Sequence, residues 1–312
     1  MERMIFFSGD AVRRAVSPQR AYDGVHEAFI AYTRGEWTMP PKVYVPAYPV
    51  GDFRAMPALG AGHALLKWVT SFPGNPAKGL PTVTGLVLLS DATDGTLLAA
   101  LDAGAVTALR TGAAAVLAAE TLASSSASVA GVIGAGVNGE AAANTFLARG
   151  RRVLLHDRDE ERMRAVAGRI GAEAASADEA LAADLVVTVT PGREILFGDG
   201  SIRPGQHVSL MGADGPGKQE IAVGELARVR VFCDDWEQAS HNGDLVHAVG
   251  AGVLRRENVT ELGAVLAGDA KGRRNDDEST VFDSTGLAIQ DLAVALAAYE
   301  RADGLDLPRL DL

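Results

Sequence analysis

A strand, a glycine-rich turn and a helix follow one another without interruption between Ser128 and Gly150, and this unit limits the fold more than any other feature of the chain. SVAGVI (128–133) reads as a short buried strand, GAGVNG (134–139) as a tight turn and EAAANTFLARG (140–150) as a helix. Gly134, Gly136 and Gly139 give the spacing G-x-G-x-x-G. The first glycine permits the turn, the second lets backbone approach a pyrophosphate, and the third lets helix and strand pack closely. The helix N-terminus offers free N–H groups and a positive dipole end to phosphate, and Val137 and Asn138 of the turn are expected among the cofactor contacts. The next apolar run, RRVLLHD, ends at Asp157, 23 residues beyond Gly134. An acid there would accept hydrogen bonds from ribose hydroxyls and repel a 2′-phosphate, which favours NAD over NADP. Arg158 works against that preference, since a guanidinium could tolerate the phosphate. The competing reading is a purely structural glycine turn.

Further apolar runs follow: DLVVTVTP, QHVSLMG and VRVFCDD, with the charged helix DEERMRAVAGRI ahead of them. Strands alternating with helices predict an α/β fold with a Rossmann-type, doubly wound parallel sheet and right-handed crossovers. Its span is set at residues 121–284, with ASSSAS (123–128) near its start as the linker candidate. Thr190, Pro191, Gly212 and Asp214 follow strand ends, where ligands of such sheets lie, so these turns should border the nicotinamide. Residues 1–120 differ in texture. VTGLVLLS and TLLAALD flank the turn-like DATDG, an antiparallel hairpin signal, and AVTALRTGAAAVLAAETLA is a long alanine-rich helix. GLAIQDLAVALAAYERA near the end has the spacing of an amphipathic helix. Residues 285–312 are expected to return to the first segment, giving a discontinuous α+β substrate and dimerisation lobe.

The 312 residues carry 29 Lys+Arg against 40 Asp+Glu, a net charge of −11 that disfavours nucleic acid and anionic membranes as partners. With 47% hydrophobic residues, a sizeable core is available. No run reads as a membrane span or signal peptide. The single cysteine, Cys233, excludes an internal disulfide framework and fits a reducing cytoplasm. His241 and His247 in HNGDLVH form no metal-ligand pattern, and Asp234, Asp235 and Glu237 read as solvent-facing charges. No metal is expected.

Five segments together resemble the ornithine cyclodeaminase/mu-crystallin family: DFRAMPA (52–58), LKWVTSFPGNPAKGLPTV (66–83), DAGAVTALRTGAA (102–114), GADGPGKQE (212–220) and VFDSTGLAIQDLAVA (281–295). Within it, DFRAMPA, GADGPGKQE and FDSTGLAIQD are most similar to the archaeal-type alanine dehydrogenases. The resemblance implies a homodimer and an NAD-dependent oxidation of L-alanine to pyruvate and ammonia. It places Lys67 as the catalytic lysine, whose pKa must be lowered by burial or neighbouring cations. It assigns Arg110 to the substrate carboxylate, Thr111 to the cofactor pyrophosphate, Asp214 to the reacting carbon and substrate nitrogen, and Ser284 to the nicotinamide. Against these stand a surface lysine, a helix-surface salt bridge for Arg110, a structural turn at Asp214 and a helix N-cap at Ser284.

Two positions depart from the family pattern. Lys42 stands where many members carry arginine, which retains charge but loses the planar fork. Arg54 stands where ornithine cyclodeaminases carry glutamate for a distal ammonium, so charge reversal argues for a small, non-cationic amino or keto acid. The alternatives are an ornithine cyclodeaminase or cyclic-imine reductase, and a mu-crystallin-like nucleotide-binding protein without activity.

Overall fold

The computed structural model describes residues 4–215 and 217–311. The chain forms two compact units, 1–110 with 287–312, and 111–286. In chain order the first unit contains β1 (Met4–Phe7), α1 (Gly9–Ala15), α2 (Pro18–Thr33), β2 (Val43–Ala47), β3 (Gly51–Gly60), β4 (His63–Ser71), β5 (Val83–Asp91), β6 (Leu97–Asp102) and the start of α3 (Ala103–Thr121). The second holds β7 (Val129–Ile133), α4 (Val137–Ala148), β8 (Arg152–His156), α5 (Glu160–Ile170), β9 (Glu173–Ala174), α6 (Ala177–Leu181), β10 (Leu185–Thr188), β11 (His207–Leu210), α7 (Val223–Leu226), β12 (Arg230–Cys233), α8 (Trp236–Asn242), α9 (Leu245–Gly250), β13 (Val259–Glu261), α10 (Leu262–Leu266) and β14 (Thr280–Asp283). The chain then returns to the first unit with α11 (Ala288–Tyr299) and β15 (Arg309–Leu310).

The first unit is built on a seven-stranded mixed sheet, order β15-β1-β6-β5-β4-β3-β2. Strands β2 to β6 pair antiparallel in succession, β6 pairs parallel with β1, and β5 and β6 form the hairpin around DATDG. Register decides which side chains share a face. Met56 pairs with Lys67 and Arg54 with Val69, so alternation puts Arg54 and Lys67 on the same face. Trp68 lies opposite Ala55 and Leu86, on the other face with Val43, Val45 and Leu66. The Lys67 face is buried beneath α11, and the Trp68 face is exposed.

The second unit is an eight-stranded sheet in the order β13-β12-β14-β11-β10-β7-β8-β9, parallel at every pairing. Val186, Val208, Leu210, Val231 and Val281 anchor its hydrophobic core, and Cys233 packs there as a small apolar side chain. Strand order reverses direction at β7, where β8 lies on one side and β10 on the other. That is the topological switch point at which a doubly wound sheet opens a crevice.

Several details differ from the sequence reading. The boundary falls at 110/111, inside continuous α3, rather than at 120/121. The reason is close packing: a Cβ on Gly112 would lie 2.7 Å from the Ala141 backbone, so this part of α3 sits directly on α4. The ASSSAS segment is a turn within the second unit. Helix α11 is not amphipathic in its environment, since ten of its twelve residues are buried. Asp234 is not solvent-facing. It is buried and its Oδ2 accepts Ser284 Oγ, Thr285 N and Gly286 N. Asp235 caps α8 through Gln238 N, and only Glu237 is exposed.

Candidate active site

Lys67 on β4 is buried, with 1% of its side chain exposed. Its Nζ donates to Thr107 Oγ1 on α3 at 2.7 Å and to Asp291 Oδ1 on α11 at 2.8 Å. Burial lowers the lysine pKa to about 8; the Asp291 charge opposes that shift, while the Arg110 and Arg54 charges add to it. An amine poised so near neutrality can accept and return a proton, which a surface lysine cannot do efficiently at pH 7. Arg110 Nε lies 3.4 Å from the same Asp291 oxygen, and Arg110 Nη1 donates to Gln290 Oε1. Two cations thus share one buried carboxylate whose Oδ2 has no hydrogen-bond donor among the described residues. The cluster carries a net positive charge, which suits an anionic group of a ligand.

Arg54 is also buried, but it is held by Asp52, with Nε to Oδ1 at 2.6 Å and Nη2 to Oδ2 at 3.2 Å. Its guanidinium stacks over Tyr44 at 5.3 Å. Lys42 is half-buried directly ahead of β2.

In the second unit, the turn after β7 has the shape required to receive a pyrophosphate. Gly134 takes φ +109°, and a Cβ on Gly139 would lie 1.7 Å from the Gly134 carbonyl oxygen, so only glycine fits. Gly136 is the N-cap of α4 and supplies no side-chain cap, which leaves the N–H groups at Val137 and Asn138 available to phosphate. Asp157 follows β8. Its Oδ2 accepts Ala135 N at 2.7 Å, and its Oδ1 accepts Asp159 N and Arg162 Nη2. Burial works against ionisation of Asp157, but these hydrogen bonds outweigh it and hold the carboxyl below its usual range. Arg158, which had spoken for NADP, forms a two-pronged pair with Glu194. These residues fit a dinucleotide: N–H groups for the phosphates and an ionised acid for the ribose.

The turns after β10, β11 and β14, together with α3, carry the remaining candidates. Thr190 Oγ1 accepts Gly192 N and donates to Glu220 Oε1. Asp214 is paired with Lys218, whose Nζ also reaches the Gly212 carbonyl. Thr111 is buried, and its hydroxyl has no partner among the described residues. Ser284 is no helix N-cap: that position belongs to Leu287.

A model of the ornithine cyclodeaminase/mu-crystallin family matches residues 3–305. The chain belongs to this family. It is 43% identical to the alanine dehydrogenase of Archaeoglobus fulgidus over 97% of this chain and 96% of that protein. Among solved structures, an archaeal alanine dehydrogenase dimer with bound NAD superposes with a TM-score of 0.93 at 41% identity, covering both chains fully. An iminosuccinate reductase from Paracoccus denitrificans is 38% identical over 74% of each chain.

The sequence singles out Lys67 and Arg110 as candidates but not the groups that contact them. Asp291 and Thr107 lie far from Lys67 in the chain and meet it only in the fold, as Gln290 meets Arg110. One signal was available: Asp291 is the lone charge in AIQDLAVALAAY, and a charge in an otherwise apolar helix needs a partner. Asp52, Glu194 and Glu220 were missed in the same way.

Proposed function

We propose that the protein is an NAD-dependent L-alanine dehydrogenase, converting L-alanine, NAD⁺ and water to pyruvate, ammonium, NADH and a proton. The observation that carries this reading is the buried Lys67–Asp291–Arg110 cluster, with a lysine whose pKa is about 8. Gly134, Gly136, Gly139, Val137, Asn138, Thr111 and Asp157 would hold the dinucleotide, with Arg158, Thr190, Pro191, Gly212, Asp214 and Ser284 at its margins. Bound there, NAD⁺ supplies the hydride acceptor.

Arg110 binds the substrate carboxylate, so the amino acid approaches with its charge neutralised. Lys67 in its neutral form takes a proton from the substrate ammonium, freeing the nitrogen lone pair that expels hydride from Cα. On the resulting imine, Lys67 and Asp214 direct water to the carbon and return the proton to the departing ammonia. Asp291 holds Lys67 in place and supports its protonated form. Arg54, paired with Asp52, lines the same sheet face as Lys67 and puts a guanidinium where a cationic side chain would need a carboxylate. Lys42 adds positive charge near the entrance to β2.

The protein is proposed to act as a homodimer. Val43, Val45, Leu66, Trp68 and Leu86 form an exposed apolar face on the first unit's sheet, a surface that monomeric proteins rarely leave open. No helix among the described residues is long and apolar enough to cross a membrane. The lone, buried Cys233 accords with a cytoplasmic setting.

The test is NADH formation by purified protein with L-alanine, L-ornithine, L-proline and aspartate, with products identified. Turnover on L-alanine yielding pyruvate and ammonia supports the proposal. Silence on L-alanine with NADH oxidation by a cyclic imine or iminosuccinate would move the protein to the imine-reductase branch. Proline formed from ornithine without net NADH would make it a cyclodeaminase.

A further inference from the structure

Glu220 is one of several fully buried acids that the reaction scheme does not use. It has no exposed surface, yet it lies on the loop between β11 and α7. Its Oε2 accepts Thr188 Oγ1 at 2.7 Å and Gly212 N at 3.0 Å, and its Oε1 accepts Thr190 Oγ1 at 2.6 Å. Thr188 ends β10 and Thr190 begins the turn beyond it, whereas Gly212 begins the turn beyond β11. One carboxylate therefore ties together two adjacent strand-end turns. Its own backbone is fixed in turn: Glu220 N donates to Asp244 Oδ1 at 2.6 Å, and Ile221 N to the same oxygen at 3.3 Å. Behind Asp244, Leu245 N donates to Asp283 Oδ2.

The arrangement has an energetic asymmetry. Burying a carboxylate is costly, and burial raises the pKa of Glu220 although the threonine and backbone donors oppose the shift. Apolar packing at this site would avoid that cost, so the charge must accomplish something that packing does not. Charge-assisted hydrogen bonds are short and directional, and three of them converge to fix turn geometry rather than merely fill space. Those turns lie on the β10–β11 side of the switch point at β7. The adenosine acid Asp157 lies on the β8 side. In a doubly wound sheet a dinucleotide spans the switch, so its second nucleotide falls over β10 and β11.

We propose that Glu220 is the positioning residue for the nicotinamide end of the dinucleotide. By clamping Thr190 to Gly212 it sets the two turns that receive the nicotinamide ring, and through Gly212 it sets the start of the turn that carries Asp214. It does not touch the adenosine half. The inference rests on dinucleotide binding and is independent of which amino acid is oxidised.

The experiment compares two ligands on the purified protein without substrate. NADH carries both halves; ADP-ribose carries the adenosine, pyrophosphate and second ribose but no nicotinamide. In Glu220→Gln the amide nitrogen cannot accept a hydrogen bond, so one side of the clamp opens. Loss of a hydrogen bond to a charged group corresponds to about tenfold or more in affinity. The expected result is NADH bound at least about tenfold more weakly, with ADP-ribose affinity changed less than about twofold. Thr188→Val removes one donor while keeping the side-chain shape and leaving the charge in place; it should shift NADH in the same direction by a smaller factor, and it carries the test if the Gln variant does not fold. Equal weakening of both ligands would mean that Glu220 only stabilises the unit, and unchanged NADH affinity would mean that the clamp does not reach the cofactor. Either result overturns the proposal. Failure of the alanine assay would leave this comparison unaffected.

Discussion

Replacing Asp291 with asparagine tests the electrostatic core of the account. Asn keeps the shape and one oxygen but removes the charge that now faces Lys67 at 2.8 Å and Arg110 at 3.4 Å. Burial lowers Lys67 to about 8, and the Asp291 carboxylate is the largest influence holding it up. A hydrogen bond to a charged group is worth about 1.5–3 kcal/mol net. One pKa unit corresponds to about 1.4 kcal/mol. The lysine should therefore fall by about one to two units, placing it near pH 6–7. Because the oxidative direction needs neutral Lys67, the wild-type rate should rise with pH through about 8. In Asp291→Asn the rise should occur about one to two units lower. The assay is kcat/KM for L-alanine across pH 5.5–10, with melting temperature followed in parallel. The variant loses one partner of a buried pair, so a stability loss of up to about 3–5 kcal/mol is expected as well. An inflection unmoved in pH, with activity retained, would refute the assignment of that inflection to Lys67.

Other perturbations follow from the same geometry. Arg54→Glu faces Asp52 with a second buried acid in place of a buried pair, so a loss of about 3–5 kcal/mol in urea unfolding is expected and no ornithine activity; robust ornithine turnover would show that charge reversal alone sets specificity. His207, buried between Thr280 and Ser209, has its pKa lowered to about 3, chiefly by burial. Its unfolded form binds a proton below about pH 6.5, so stability should fall with pH between about 6.5 and 3, by up to about 1.4 kcal/mol per unit. Calorimetry on His207→Gln should give a shallower slope, and an identical slope would contradict this. Glu194→Gln releases the Arg158 guanidinium and should raise kcat/KM for NADP by a few-fold with little change for NAD; the exposed position limits the effect. Trp68→Glu on the exposed apolar face should convert a dimer to monomer in sedimentation velocity, and an unchanged dimer would place the interface elsewhere.

What could be read from the sequence was local. The turn at Gly134–Gly139 was legible because steric demands on a pyrophosphate loop act between neighbours in the chain, and Cys233 because a short apolar strand is buried wherever it pairs. The partner of Lys67 was not legible, because Asp291 lies 224 residues away and only the register of β4 beneath α11 brings them together. Helix α11 misled for the same reason: its pattern admits a polar face, but that face carries Gln290 and Asp291, which turn inward to cap and to neutralise. Asp234 read as a surface charge because the three donors that bury it come from 284–286, on the far side of β14. The unit boundary escaped notice because a continuous helix crosses it, whereas the serine-rich segment that looked like a linker is an ordinary turn.

The central claim is that Lys67 moves the proton on which amino-acid oxidation depends, and Lys67→Met tests it most directly. Methionine fills a similar volume without a titratable group. The account predicts that turnover with L-alanine falls by about 10²–10⁴-fold while NADH affinity stays within about twofold of wild type. Turnover that survives the substitution would contradict the account and remove Lys67 from the chemistry.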